Sequence, residues 1–281
     1  MHNNQYPQLD QATLWNGTAG HAWVDSQDLL DRLFQPFERL LVEAVTAYQV
    51  RDVLDIGCGT GSTTVAMARS VRSEGRCTGI DISAPMIEAA RARAGWESVP
   101  ASFVLADAQT HRFDPGSFDM IASRFGVMFF GDPIAAFANL RRSARDGAAL
   151  DLMVWRGAAD NPFMTTAERA AAPLLPGLPQ RRPDEPGQFA FADPDRVRGI
   201  LGSGGWGDIE MRPLDIACAM PEAELVRYFT RLGPLGAVLS QADASARETI
   251  VETVRAAFDP YVHDGEVRFT AACWRIEGRA V

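Results

Sequence analysis

Asp55-Ile56-Gly57-Cys58-Gly59-Thr60-Gly61, directly after the apolar pair Val53-Leu54, decides how this chain is read. An acidic residue closes a strand, and three glycines then take alternate positions. Glycine has no Cβ, so such a turn lets the backbone lie against a ligand. A helix opening from about Ser62 presents free N–H groups beside it. The spacing is Gly-x-Gly-x-Gly, not the Gly-x-Gly-x-x-Gly of dinucleotide-binding turns, and Asp55 stands two residues before the first glycine. A carboxylate there repels pyrophosphate but accepts hydrogen bonds from an ammonium group. The ligand that suits the turn is cationic at that end, and S-adenosylmethionine, with its amino-acid tail and sulfonium, fits.

Outward from this turn, short apolar runs alternate with helical stretches: strand 52–57, helix 62–70, strand 77–82, helix 84–94, strand 102–107, strand 118–124, helix 133–143 and strand 149–155. Alternation of this kind marks an α/β, doubly wound fold, a parallel sheet with helices on both faces. Ser83 before Ala84-Pro85 and Asp132 before Pro133 mark helix starts. Residues 49–156 form the core that carries the turn. Residues 1–48 read as an N-terminal arm with Tyr6, Trp15, His21 and Trp23, leading into a helix. Its apolar positions Leu29, Leu30, Leu33, Phe34, Phe37, Leu40, Leu41 and Val45 follow a helical period. Residues 157–192 are crowded by Pro162, Pro173, Pro176, Pro179, Pro183 and Pro186 around a short helical stretch at 163–171, which reads as an inserted cap. Residues 193–281 complete the sheet and supply substrate-side helices. They hold a helix opening at Asp193-Pro194, a strand at 209–219, helical stretches at 222–239 and 244–258, and a last strand at 266–276.

The net charge of −9 gives no long-range attraction to phosphate backbones or anionic lipid, so the expected partner is a small molecule, with no nucleic acid and no membrane. Cys58, Cys77, Cys218 and Cys273 are far apart and show no Cys-x-x-Cys, which indicates neither zinc nor a disulfide framework. No metal is expected. No signal-like N-terminus is visible, and no apolar run approaches the roughly 18 residues of a membrane span. The expectation is a cytoplasmic monomer or homodimer.

Five blocks in order resemble the class I S-adenosylmethionine-dependent methyltransferases, more narrowly the small-molecule subgroup similar to the ubiquinone/menaquinone biosynthesis C-methyltransferases. They are Val53 to Gly61, Gly79-Ile80-Asp81-Ile82-Ser83, Ala106-Asp107-Ala108, Phe118-Asp119-Met120-Ile121, and Arg145-Asp146-Gly147-Ala148-Ala149-Leu150. The resemblance implies a seven-stranded, mostly parallel sheet with a helical cap. Its last strand, here 266–276, runs antiparallel, and the cofactor lies at the C-terminal edges of the first strands. It further implies that Gly57, Gly59 and Gly61 approach the methionine moiety and that Asp55 holds the α-ammonium directly or through water. Asp81, 20 residues after Gly61, is placed to accept both ribose hydroxyls, a placement shared with NAD-binding folds. Ile82 and Met86 pack on adenine or are core residues. Asp107 accepts from the adenine amino group beside a backbone contact from Ala108, although an Asp at a strand end commonly caps a turn. Ser123, Arg124 and Phe125 face the site, while Met128, Phe129 and Phe130 pack the next helix.

Methyl transfer asks little of side chains, because in-line alignment of an acceptor supplies much of the acceleration. A dry, aromatic-lined pocket suits the dispersing charge. A general base is needed only when the acceptor enters protonated. His21, His111 and His263 are the candidates. His21 is favoured because its arm also carries Trp15 and Trp23 and, by resemblance, folds over the cofactor. Trp15, Trp23, Phe125, Tyr228 and Phe229 are the candidate acceptor residues, with helix packing the other account of Tyr228 and Phe229. The expected activity is methyl transfer to an O, N or C atom of a small aromatic, quinone-like or polyketide-like acceptor. Glycine spacing and Asp55 disfavour an NAD-dependent oxidoreductase. A protein of this fold that binds the cofactor without methyl transfer, as a pericyclase or regulator, remains the alternative.

Overall fold

The computed structural model describes residues 10–176, 178, 181–182, 185–239 and 242–281; Tyr6 of the arm and Pro179 and Pro183 of the expected cap lie outside them. The strands are β1 (Asp52–Ile56), β2 (Arg76–Asp81), β3 (Ala101–Leu105), β4 (Phe118–Arg124), β5 (Ala144–Trp155), β6 (Trp206–Pro221), β7 (Val262–His263) and β8 (Glu266–Ala280). The helices are α1 (Gln11–Asn16), α2 (Thr18–Asp25), α3 (Gln27–Tyr48), α4 (Ser62–Ala68), α5 (Ala84–Glu97), α6 (Pro133–Ser143), α7 (Pro162–Ala171), α8 (Pro194–Ser203), α9 (Leu225–Arg231), α10 (Gly233–Leu239) and α11 (Ala244–Ala257).

The sheet runs β3-β2-β1-β4-β5-β8-β6. β1 to β5 pair in parallel, and β8 is antiparallel to both β5 and β6. All five residues of β1 are buried, as a strand with helices on both faces requires. The expected antiparallel last strand is β8, but it continues four residues further, to Ala280. An eighth strand, β7, adds a two-residue pairing to the start of β8. Strand order reverses between β1 and β4, and in open α/β sheets the crevice at such a reversal, beyond the strand C-termini, is where ligands sit. The ends of β1, β2 and β4 therefore meet at one edge.

The aromatic arm is itself helical. The Asp10 carboxylate caps α1 by accepting from Thr13 N (2.8 Å), and Gly17 separates α1 from α2. α3 buries Leu29, Leu33, Phe37, Leu41 and Val45 along one stripe and continues through Pro36. The helical stretch expected over 222–239 is interrupted. α9 ends at Arg231, Leu232 is extended, and α10 starts at Gly233, whose φ of +72° lies where side chains are disfavoured. Among the described residues no helix is long and apolar enough to cross a membrane.

Candidate functional site

The turn after β1 is held by backbone bonds, with Gly57 N and Cys58 N both donating to Ile80 O of β2 (2.9 and 3.1 Å). Its glycines serve different ends. At Gly57 (φ +64°) a Cβ would stand 2.6 Å from Gly126 Cα, so this position is glycine because two backbones touch. At Gly61 a Cβ would meet Ala90 Cβ at 2.8 Å. At Gly59 (φ +56°) it would meet only Met86 Sδ, at 3.8 Å. Gly59 is thus the open face of the turn, with Met86 beside it.

Asp81 fastens that face. Its Oδ2 accepts from Gly59 N and its Oδ1 from Ser83 N, both at 2.9 Å. Burial raises its pKa, opposed by these N–H donors. Each oxygen keeps a lone pair, so a ribose hydroxyl can still donate. Asp55, near the end of β1, is almost fully buried and accepts from Thr64 Oγ1 of α4 (2.6 Å). Desolvation pushes its carboxyl up to about 7; the Thr64 bond and the Arg124 charge oppose this, and Asp81 and Glu38 add to it.

At the end of β4, Ser123 Oγ donates to Ile56 O (2.8 Å) and accepts from Gly126 N (3.1 Å), tying β4 to the turn. Arg124 donates from Nη2 to Ser62 Oγ (3.1 Å), while its buried Nη1 has no partner. Phe125 holds φ +65°, a conformation that costs a non-glycine residue about 1–3 kcal/mol. Its ring stacks on Trp155 (4.5 Å, 14°) and meets the edges of Phe34 and Phe37 of α3. Next to β2, Ala106 N donates to Asp81 O (3.0 Å). Asp107 then caps a turn, accepting from Gln109 N on Oδ1 (2.9 Å), and Ala108 O accepts from Asn139 Nδ2 (3.0 Å).

The arm is bonded to the same edge. Asn16 donates from Nδ2 to Ile82 O (3.0 Å) and accepts on Oδ1 from Ala84 N (2.8 Å), while Ser83 Oγ donates to Trp15 O (2.6 Å). Trp15 packs edge-on against Trp23 (6.0 Å) and Phe129 (5.3 Å). Phe129 thereby joins the arm, whereas Phe130 packs against Phe137 of α6. His21 is exposed on α2. His111 packs its ring against Phe113, and His263 is exposed.

Tyr228 and Phe229 belong to a second aromatic group. Phe229 stacks with Phe258 (5.8 Å), Tyr228 lies against Phe163 (5.7 Å), and Phe163 stacks on Phe269 (3.8 Å). Tyr228 OH donates to Met164 Sδ (3.4 Å), and burial pushes its phenol above the ordinary range. This group joins the arm through Arg227, which donates to the Asp25 carbonyl.

Sequence reasoning missed Thr64, Asn16 and Arg93. Arg93 of α5 donates from Nε to Thr60 O (3.0 Å) inside the glycine turn. Its Nη2 donates to Asp31 Oδ2 (2.6 Å) and Gln27 Oε1 (3.2 Å) on α3. Local pattern carries no sign of the Arg93 bridges, since each links segments more than 30 residues apart.

Residues 53–147 match the family model described as a methyltransferase domain. Among curated proteins, aklanonic acid methyltransferase DauC of Streptomyces sp. (strain C5) is 37% identical over 125 residues, covering 42% of this chain and 56% of that protein. Nocamycin O-methyltransferase of Saccharothrix syringae is 27% identical over 213 residues, covering 70% and 74%. The match to DauC thus spans little over half of that relative's length. Among solved structures, the YcgJ protein of Bacillus subtilis superposes with a TM-score of 0.56 at 16% identity, over 86% of this chain and 97% of that one. The sheet order and this superposition show a Rossmann-like α/β fold shared with that protein, and the segment 53–147 is similar to methyltransferase domains.

Proposed function

We propose that this chain transfers a methyl group from S-adenosylmethionine to an O, N or C atom of a small polyketide-like or quinone-like acceptor. The observation that carries the reading is Asp55. It is a carboxylate buried near the end of β1 with one hydroxyl partner and, among the described residues, no ion pair, beside a turn whose middle glycine has only the flexible Met86 side chain within contact distance. A buried acid held this way fits a cationic ligand group and repels a pyrophosphate. The bound cofactor supplies a methyl already activated on a sulfonium.

On this reading Asp55 holds the ammonium, Gly59 lets the backbone close on the ligand, and Asp81 uses its free lone pairs on the ribose hydroxyls. Gly57 and Gly61 keep the turn in shape through their packing. Ile82, Met86, Asp107 and Ala108 line the adenine side, and Ser123 keeps β4 against the turn. Residues 49–156 are the cofactor-binding core and 1–48 the arm that covers it. Residues 157–192 form a cap, and 193–281 complete the sheet and carry the acceptor side. Trp15, Trp23, Phe125, Tyr228 and Phe229 exclude water around the acceptor, where aromatic faces suit positive charge. His21 takes the acceptor proton where one must leave. The names of the relatives support the acceptor class, as one is an aklanonic acid methyltransferase and another a nocamycin O-methyltransferase. The net charge of −9 argues against nucleic acid, and the free thiols fit a cytoplasmic protein.

The test is calorimetry of the purified chain with S-adenosylmethionine, S-adenosylhomocysteine and NAD, followed by incubation of methyl-labelled cofactor with a panel of anthraquinone, polyketide and naphthoquinone acids and phenols. Binding of the first two and not the third, with label in an acceptor, is expected. Binding of NAD alone sinks the reading. Cofactor binding without label in any acceptor favours a protein that has kept the pocket and lost the transfer.

A further inference from the structure

Asp55 has a counterpart of opposite charge. Arg124 ends β4 with Nη2 donating to Ser62 Oγ and with Nη1 buried and unpartnered. No carboxylate among the described residues makes an ion pair with it. Asp31, Glu38 and Asp55 act on it only at a distance, Asp31 being bonded to Arg93 and Asp55 to Thr64. Phe34 of α3 packs its ring 5.9 Å from the guanidinium carbon, which keeps the group dry. Arginine does not escape burial by losing its proton. An uncompensated buried charge is strongly unfavourable, and an apolar side chain of similar volume fills such a place without that cost.

Ser62 and Thr64 lie two residues apart on α4, so the fold holds a guanidinium and a carboxylate in the same neighbourhood and gives each a hydroxyl instead of each other. Two such groups complement a zwitterion, an ammonium on the acid side and a carboxylate on the base side. The guanidinium fork matches a carboxylate in shape as well as charge. We infer that Arg124 receives a ligand carboxylate through its free Nη1, and that this carboxylate is the one on the amino-acid end of S-adenosylmethionine. The inference rests on the methyltransferase reading above and names the group that Arg124 takes within it.

Decarboxylated S-adenosylmethionine keeps every other group of the cofactor and so isolates the contact. Dissociation constants for both compounds are measured by calorimetry on the full chain and on its Arg124→Gln and Arg124→Met variants, with thermal melts alongside. The wild-type chain is expected to prefer the carboxylate-bearing form by about 30-fold or more, the range for a buried hydrogen-bonded charge pair. Both variants bind the decarboxylated form as the wild type does and lose the preference. Arg124→Met melts no lower than the wild type, since an unpaired buried charge has been removed.

Undiminished preference in Arg124→Gln overturns the assignment, as does an equal loss for both compounds. If the variants keep their cofactor affinity and instead raise the KM of carboxylic acceptors, the guanidinium serves the acceptor's acid and the assignment to the cofactor falls. A marked drop in melting temperature for both variants makes Arg124 a structural residue and also overturns it. Failure of the wild-type chain to bind either compound sinks the methyltransferase reading itself, a result distinct from all of these.

Discussion

The buried carboxyl of Asp55 makes cofactor affinity depend on pH. Its ordinary value is 3.8 and burial moves it to about 7, with Thr64 and Arg124 opposing the change and Asp81 and Glu38 reinforcing it. Between these values the folded chain holds a proton that the unfolded chain has lost. The associated stability is therefore fully present below about 3.8 and lost as pH rises to about 7, a total of about 4 kcal/mol at about 1.4 kcal/mol per pH unit. Only the ionised carboxylate binds an ammonium well, so cofactor binding below about 7 expels the proton. A single site of this kind is about three-quarters ionised at pH 7.5 and about 3% ionised at pH 5.5, a roughly 25-fold loss of affinity. Above about pH 8 affinity falls again as the ligand's own α-amino group deprotonates. Calorimetry at pH 5.5, 6.5 and 7.5, in two buffers of different ionisation enthalpy, counts the protons. Close to one is released at pH 5.5 and about a quarter at pH 7.5. Asp81, also raised by burial, is separated by Asp55→Asn, which removes the acid limb, weakens binding at pH 7.5 and melts higher at pH 8. Equal affinity at pH 5.5 and 7.5 with no proton release would refute the reasoning.

Two further substitutions separate the parts of the turn. Gly57→Ala forces a Cβ to within 2.6 Å of Gly126 Cα at positive φ, and denaturant titration is expected to show a loss of about 3 kcal/mol or more. Gly59→Ala meets nothing closer than 3.8 Å, so it costs about 1–2 kcal/mol of backbone strain but obstructs the ligand, with cofactor affinity down more than about tenfold. Equal stability losses in the two variants contradict this division. Arg93→Ala releases Thr60 O and Asp31 together and should raise the cofactor KM about tenfold with kcat little changed, a pattern that Arg93→Lys, lacking the fork, only partly restores. A fall in kcat at constant KM is the outcome that removes Arg93 from the turn's support.

The frame of the molecule was legible because parallel strands covered on both faces read as apolar runs, and β1 and β4 lie within a residue of where those runs stop. Caps were equally plain, as at Asp132 and Asp193, whose carboxylates accept from Ala135 N and from Asp195 N and Arg196 N. β8 reads short because its final turns of alternation carry Glu277 and Arg279, which look like the end of a strand. In the fold Glu277 accepts from Tyr48 OH, and Arg279 lies over the Tyr48 ring, both contacts with the distant end of α3. The break between α9 and α10 had a visible marker in Gly233-Pro234, which the helical period of the flanking residues outweighed.

The site divides along the same line. Where a chemistry-bearing residue stands follows from strand ends, and that much is local: Asp81 and Arg124 close their strands and Asp55 is next to last in its own, so their gathering at one edge follows from strand order. What each does is set by partners that no local pattern predicts. Asp81 spends both oxygens on backbone N–H groups and so shapes the turn before it meets any ligand. The three glycines look like one motif, yet two are fixed by close approach to Gly126 and Ala90, while a Cβ at Gly59 would make only an ordinary contact with Met86. Asp55 and Arg124 carry opposite charges in one neighbourhood and are kept from closing on each other by two hydroxyls of α4. A glycine-rich turn after an acidic strand end therefore marks the place of the cofactor. The unpaired charges around it specify that the ligand's end must be both cationic and anionic, a property that becomes visible only when β1, β4 and α4 are brought together.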